Sequence, residues 1–590
     1  MFPTSTKIRL LLGVALLVSG ISANSQSAPQ KPAATTSEQG ALRRGQAALK
    51  KGDVAAARAE FEKAVRLTPK DSAAQSALGW VLAQQGDAAS ALSHLRTAIR
   101  LKPDSVEPRL TVAGILAREG KTSEAEQEAR LAVKIAPQDA EAHRTLAKII
   151  SQSAADEALA EMKRATELAP QRADLKDELG TLFAQRSEFT QGEAAFREAL
   201  RLEPNLQPAH FHLGVVHLQT QQINDAVREL SKAVELNPQD ANAHYYLAKA
   251  LAAHSKNKEA VDELGKAAAL KPDWFELQVE LGIASQRIGD VDGAVKAFRE
   301  ALRLHPQDAE IYNDVGLALL QKGDAEGAIP QFKNAVQLKP QDGSLRGNLA
   351  IAYIQLANFD AAVSELDMAL KIAPASASLH YDLGLAYKLK DQLDKAAAEF
   401  QEAIRLQPDL TDAHYTLGIL HWQRGEFDQA AGEMREAISN QANYAEAHYM
   451  LGTILKQQGK LQDAATELRE AIRLQPDFAG AHTTLAGVLR QLGDSDGAAQ
   501  EAKEGARIAT SVNNLQAATV STNSGKRLLS TGDLEGAIAQ FRSAIHSEPR
   551  YAAAHYQLGL ALQQSGKKEE AREEFEKAAE LDPKLSAQGK

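Results

Sequence analysis

The chain has 590 residues, which the usual length prior divides among about four domains, so a single continuous architecture of this length needs repetition to hold it together. Its apolar fraction is 44% but its aromatic fraction only 5%, which points to an interior of Ala, Leu, Ile and Val and therefore to helix. With 67 Lys and Arg against 77 Asp and Glu the net charge is −10, which argues against a global positive field for nucleic acid; the absence of Cys excludes disulfides, thiolate zinc sites, Cys nucleophiles and a lipid-modified N-terminal Cys.

In chain order, the first segment places Lys7 and Arg9 ahead of an apolar run from Leu10 to Ile21, followed by small and polar residues. That is the layout of a secretory signal peptide, here over residues 1–25. Such a run is too short to cross a hydrocarbon core, which takes about 20 helical residues. Residues 26–37, rich in Ser, Pro, Ala and Thr, read as a flexible linker. No later stretch is long and apolar enough to span a bilayer. The mature chain is therefore expected to be exported, to the periplasm or beyond, with no stable membrane insertion; an uncleaved anchor is the other reading of the first segment.

The rest is periodic. Pro69, Pro103, Pro137, Pro170, Pro204, Pro238, Pro272, Pro306, Pro340, Pro374 and Pro408 are spaced by 34, 34, 33 and then 34 seven times. Ala442 and Thr510 stand where prolines are due, Pro476 is on time, and Pro549 and Pro583 resume after five extra residues, 513–517. Repeats 1–14 thus occupy residues 38–512, the insertion is a seam at 513–517, repeats 15 and 16 occupy 518–585, and 586–590 form a tail. The twelfth repeat, Thr411 to Tyr444, reads as two helices. Gly425 can take the left-handed conformation that closes the first helix, an Asp often follows to cap the second, and the proline stops that second helix. Asp71, Asp139, Asp240, Asp308 and Asp342 stand where they can cap the next repeat.

Leu417-Gly418, Ala430, Ala437 and the terminal proline, with a second-helix aromatic at Phe61, Phe196, Phe298, Phe332, Phe400, Phe541 and Phe575, make this pattern resemble the tetratricopeptide repeat. The resemblance covers residues 38–585 and implies an all-α fold, an α-solenoid in which about 16 tandem helix-turn-helix units wind into a right-handed superhelix. Neither helix of a unit can bury its apolar stripe alone, so units stack on their neighbours. Gly79, Gly214, Gly282, Gly316, Gly384 and Gly452 would let paired helices approach closely. Departures from the family pattern are His or another polar residue in place of the first-helix Trp, Gly192 at an Ala place, and the loss of the ending of repeat 14 at Gly505 and Thr510. The seam is expected to weaken stacking between repeats 14 and 15.

Several motifs look chemical. His143, His210, His244, His380, His414, His448, His482 and His555 share the fourth position of a repeat, but such residues in adjacent units lie about 8–10 Å apart, too far for two ligands of one zinc. Gly493-Asp494-Ser495-Asp496-Gly497 has the G-x-S-x-G spacing of serine hydrolases without the strand before it, and Asp290/Asp292 lack the loop and closing Glu of an EF-hand. Ser524-Gly525-Lys526 lacks the upstream Gly of a P-loop. No catalytic, cofactor-binding or metal residues are expected, and no enzyme activity.

The second, fifth, ninth and twelfth residues of a repeat share a helix face. By resemblance to the family this face lines a concave groove. There, Tyr381, Tyr415 and Tyr449 follow one another, with Leu385, Ile419 and Thr453 one turn on, then Lys388, Trp422 and Lys456, and Arg490 in the next repeat. Aromatics supply contact area at low entropic cost and the cations can pair with acidic groups. The competing reading is that Tyr is merely how this array spells its first helix, since Phe211, Tyr245 and Tyr556 occupy the same file. The expected function is an exported scaffold binding protein or peptide partners. The rival is an accessory subunit of envelope polysaccharide export or outer-membrane assembly machinery.

Overall fold

The computed structural model describes residues 38–587. The signal segment, the linker over 26–37 and the last three residues of the tail lie outside the described residues. Among the described residues there are 31 α-helices and one short 3-10 helix, Pro583–Ala587, and no strand. The chain divides into two compact halves, Met1–Pro306 and Gln307–Lys590, which hold the helix pairs of repeats 1–8 and 9–16. No helix among the described residues is long and apolar enough to cross a membrane.

Each repeat is a helix pair whose ends are chemically specified. In repeat 12 the helices are Thr411–Gln423 and Phe427–Asn440. The turn between them passes through Gly425 at φ +75°, and nine further repeats place glycine there at φ +75° to +86°. In five repeats the same left-handed place is held by Ser187, Gln221, Ser255, Ala357 and Asp391 at φ +55° to +63°. The turn therefore imposes the conformation even on residues with a Cβ, which resist it by about 1–2 kcal/mol. After the turn, Asp53, Asp87, Asp290 and Asp324 accept the N–H three residues on, and Asp71, Asp139, Asp240, Asp308 and Asp342 cap the following first helices.

The pair packs through a missing side chain. A Cβ on Gly384 would lie 2.5 Å from Cε1 of Phe400, and the same collision recurs at Gly45 with Phe61, Gly282 with Phe298 and Gly316 with Phe332. Those phenylalanines are fully buried, each contributing on the order of 2–3 kcal/mol of burial. Stacking then joins neighbours: Ala430 and Met434 of repeat 12, Leu451, Ile454 and Leu455 of repeat 13, and Leu485 and Val488 of repeat 14 form one buried cluster.

The histidine file closes these joints. His414 bonds Glu433 through Nδ1 at 2.7 Å and the Pro408 carbonyl through Nε2 at 3.0 Å, tying both helices of its repeat to the preceding connection. All eight histidines of the file bond a Glu on the second helix in this way. Arg109 stands in for His in repeat 3, reaching Glu128 at 2.7 Å and the Pro103 carbonyl at 2.9 Å, and Arg346 reaches Glu365 at 2.9 Å. Where that Glu is absent, as at Ala297, the fourth position is not His: Gln278 reaches only the Pro272 carbonyl. The file is thus a set of joints between helices.

One expectation fails at the seam. Instead of two helices flanking an insertion at 513–517, a single 36-residue helix, Ser495–Ser530, runs through it. Thr510 replaces the proline that stops other second helices, so nothing interrupts the backbone hydrogen bonds. Residues 509–517 are exposed all round, with Val512 at 56% and Leu515 at 46%. The faces that would have stacked have changed accordingly. Ala499 and Ala506 are exposed where Ala465 is buried and Ile472 half-buried, and Ser524 and Arg527 stand where repeat 12 buries Leu417 and Leu420. Small or polar outer faces are what array ends require.

Candidate functional site

The first helices of successive repeats meet through a ladder. At several junctions within each half, the fifth residue of one repeat contacts the sixth of the next, 35 residues on when the repeat has its full length. His212 Nδ1 bonds Asp177 at 2.8 Å, the Tyr245 hydroxyl donates to Glu280 at 2.7 Å, and Asn348 donates to Asn313 at 2.7 Å. Across the shorter repeat 4, Arg144 Nε donates to Glu178 at 2.7 Å, and Lys148 adds a bond at 3.0 Å. Phe211 and Tyr246 form an apolar rung with ring centroids 5.6 Å apart.

The ladder fixes charge as well as register. Burial works against a charge on His212, but Asp177, with Asp240 and Glu178 beyond it, outweighs burial and raises its pKa. Burial likewise opposes ionisation of Glu178, yet Arg144 and Lys148 hold it below the usual carboxylate range. Burial and the Glu280 carboxylate push the Tyr245 hydroxyl well above its ordinary value.

The strip expected in repeats 11–14 lies on this ladder. Tyr381, Tyr415 and Tyr449 are half-buried, and each leans on a neighbouring ring: Phe400 at 5.7 Å, Tyr444 at 5.0 Å and Phe478 at 4.7 Å. Tyr245 leans on Trp274 at 4.9 Å in the same way, so the pairing belongs partly to the repeat. Leu385, Ile419 and Trp422 rest against the buried clusters while staying partly exposed, and the Trp422 indole N–H is buried without a hydrogen-bond partner. Burial lowers the pKa of Lys388. Lys456 reaches the next first helix, Ala479–Leu492, where a Cβ on Gly487 would lie 3.3 Å from its Nζ. Gly480 on the same helix similarly leaves room beside Tyr449. Arg490 is exposed.

Sequence reasoning missed the sixth position of the repeat, where Asp382, Thr416 and Glu280 stand. The signal that could have found it is the recurrence, 35 residues apart, of residue types able to pair. Among the described residues, no group of three His, Cys, Asp or Glu is placed to hold a metal ion.

Stacked helix pairs joined by repeated side-chain rungs define a helical-repeat protein. Models of the tetratricopeptide repeat match residues 42–106, 82–149, 279–343, 319–383, 415–467, 449–512 and 522–586, and a TPR repeat model matches 216–255 and 389–425. Together these matches span more than half of the chain, and the protein belongs to the tetratricopeptide repeat family. No curated protein matches it. Among solved structures it is similar to the APC/C hetero-tetramer Cut9-Hcn1, with 16% identity over 77% of this chain and 96% of that one and a TM-score of 0.34. It is also similar to MamA from Desulfovibrio magneticus RS-1, with 24% identity over 29% of this chain and 96% of that one and a TM-score of 0.27. YrrB, described as a TPR protein with an unusual peptide-binding site, shares 21% identity over 30% of this chain and 92% of that one, with a TM-score of 0.29.

Proposed function

We infer that this chain is an exported, non-catalytic scaffold that binds protein or peptide partners on the first-helix face of repeats 11–13. The observation that carries the reading is the file of Tyr381, Tyr415 and Tyr449, half-buried and braced by neighbouring rings, beside the partly exposed Leu385, Ile419 and Trp422. Braced aromatics lose little side-chain freedom when a partner covers them, so most of their contact area contributes to affinity. Lys388, Lys456 and Arg490 at the edge supply charge for orientation. Export rests on Lys7, Arg9 and the apolar run behind them.

The test is partner capture by cross-linking in the native compartment, with bound proteins identified by mass spectrometry. Tyr415→Ala with Trp422→Ala should abolish capture of the main partner while leaving the helical circular-dichroism signal in place, since a buried aromatic anchor contributes about 2 kcal/mol or more. Phe211→Ala with Leu218→Ala, on the equivalent face of repeat 6, is the control. Equal loss from both pairs, or none from the first, would place the partner elsewhere.

A further inference from the structure

At Asp382 the ladder offers a carboxyl no partner. In the second half, Asn348 donates to Asn313, joining a fifth position to the sixth position of the next repeat. In the following repeat the sixth-position residue is Asp382, and the fifth-position residue that would meet it is Gly347, 35 residues earlier. Gly347 does lie against the helix that carries Asp382, Ala377–Leu389, because a Cβ built on it would come within 2.8 Å of the Leu379 side chain. It has nothing to offer the carboxyl. No residue on the first helices of repeats 10 and 12 forms an ion pair or hydrogen bond with Asp382 among the described residues, and burial alone pushes its pKa up to about 6. Two corresponding acids of other repeats are satisfied, Glu178 by Arg144 and Lys148 and Glu280 by Tyr245, whereas Asp314 in repeat 9 is, like Asp382, pushed up to about 6 chiefly by burial.

A half-buried carboxylate without a donor is an unfavourable arrangement that a cation of a bound partner relieves. We propose that Asp382 is the recognition point for an arginine or lysine side chain of the partner, which completes the rung that Gly347 leaves open. The guanidinium of Arg144 on Glu178, at 2.7 Å, shows from within the chain which chemistry a carboxylate at this ladder position takes. Tyr381 adjoins Asp382 on the same helix, so a basic side chain seated there leads its backbone past the ring of Tyr381 toward Leu385. This inference rests on the partner-binding reading of repeats 11–13 and adds the charge that the partner brings.

The experiment is selection of a phage-displayed random dodecapeptide library on the full chain, followed by affinity measurement of the enriched peptides. Expected are peptides with Arg or Lys at one recurrent position, bound at least tenfold more weakly by Asp382→Asn, and as weakly by the unmodified chain once that residue is changed to Ala. Replacing it by Glu should restore binding to Asp382→Lys, a gain that no loss of folding can imitate. Peptides that need Tyr415 and Trp422 but bind Asp382→Asn undiminished would overturn the anchor and leave the binding face standing. Peptides indifferent to all three residues would overturn both readings, as would a selection that enriches nothing.

Discussion

At the scale of single residues, the two carboxyls at Asp314 and Asp382 make the chain respond to pH. Burial pushes both up to about 6, with Glu310 and Asp308 adding to the effect at Asp314. A carboxyl whose pKa is higher folded than unfolded favours the fold while protonated, and that contribution is lost as pH rises from about 4 through about 6. Asp382→Asn is therefore expected to be neutral near pH 4 and to stabilise above pH 6 by on the order of 1–2 kcal/mol, after discounting for its partial exposure. Thermal melts at pH 4, 5, 6 and 7 measure this, and an equal gain at every pH would contradict it. The histidine joints give a second prediction. His414→Ala removes bonds to both Glu433 and the Pro408 carbonyl and should cost on the order of 2 kcal/mol. His414→Arg should cost much less, because Arg109 and Arg346 already fill that place. Denaturant midpoints of the two variants decide it, and equal losses would mean that the position tolerates only imidazole.

At the scale of elements, the turn conformation and the long helix make separate predictions. Ala357 holds the left-handed place at φ +55° that Gly425 holds at +75°. Ala357→Gly should therefore stabilise by up to about 1 kcal/mol, the relief of strain being partly offset by the freer unfolded chain. Gly425→Ala should lose a similar amount, and melting temperatures of the two in parallel test the sign. In the Ser495–Ser530 helix, residues 509–517 have no tertiary cover and include the poor helix formers Thr510, Ser511, Val512, Asn513 and Asn514. Their amides should exchange faster than those of any other helix interior. Mass-resolved hydrogen exchange checks this, and protection equal to that of the buried helix Ala445–Gln457 would contradict it. The sequence made the helix pairs legible because Gly, Asp and Pro each act locally, within one or two residues of the boundary they set. It hid the long helix because the lost stop at Thr510 and the extra residues at 513–517 read equally well as a loop. Only the polar replacements Ser524 and Arg527, whose meaning depends on what faces them, separate the two outcomes.

At the scale of the whole molecule, the periodicity carried the fold class, since a pattern repeated from Glu38 to Leu585 leaves stacked helix pairs as the only arrangement that covers every apolar stripe. The candidate binding face was only partly readable. Its aromatics stand in one file, but whether a ring is free or braced depends on Phe400, Tyr444 and Phe478, which the file does not contain. The ladder was not visible, because each rung joins residues in different repeats and has its own chemistry. Export belongs to this scale as well: the natively expressed protein should begin near Asn24 or Gln26, and an intact mass matching all 590 residues would contradict the secretion reading. The most direct test of the central claim places a photo-crosslinking amino acid at Leu385, Thr453 or, as the opposite face, Thr466 on the second helix Leu461–Leu474. The first two sites should trap the same protein or peptide partner, and Thr466 should trap none. Trapping at Thr466 alone would show that partners bind the second helices and that the aromatic file serves only the packing of the array.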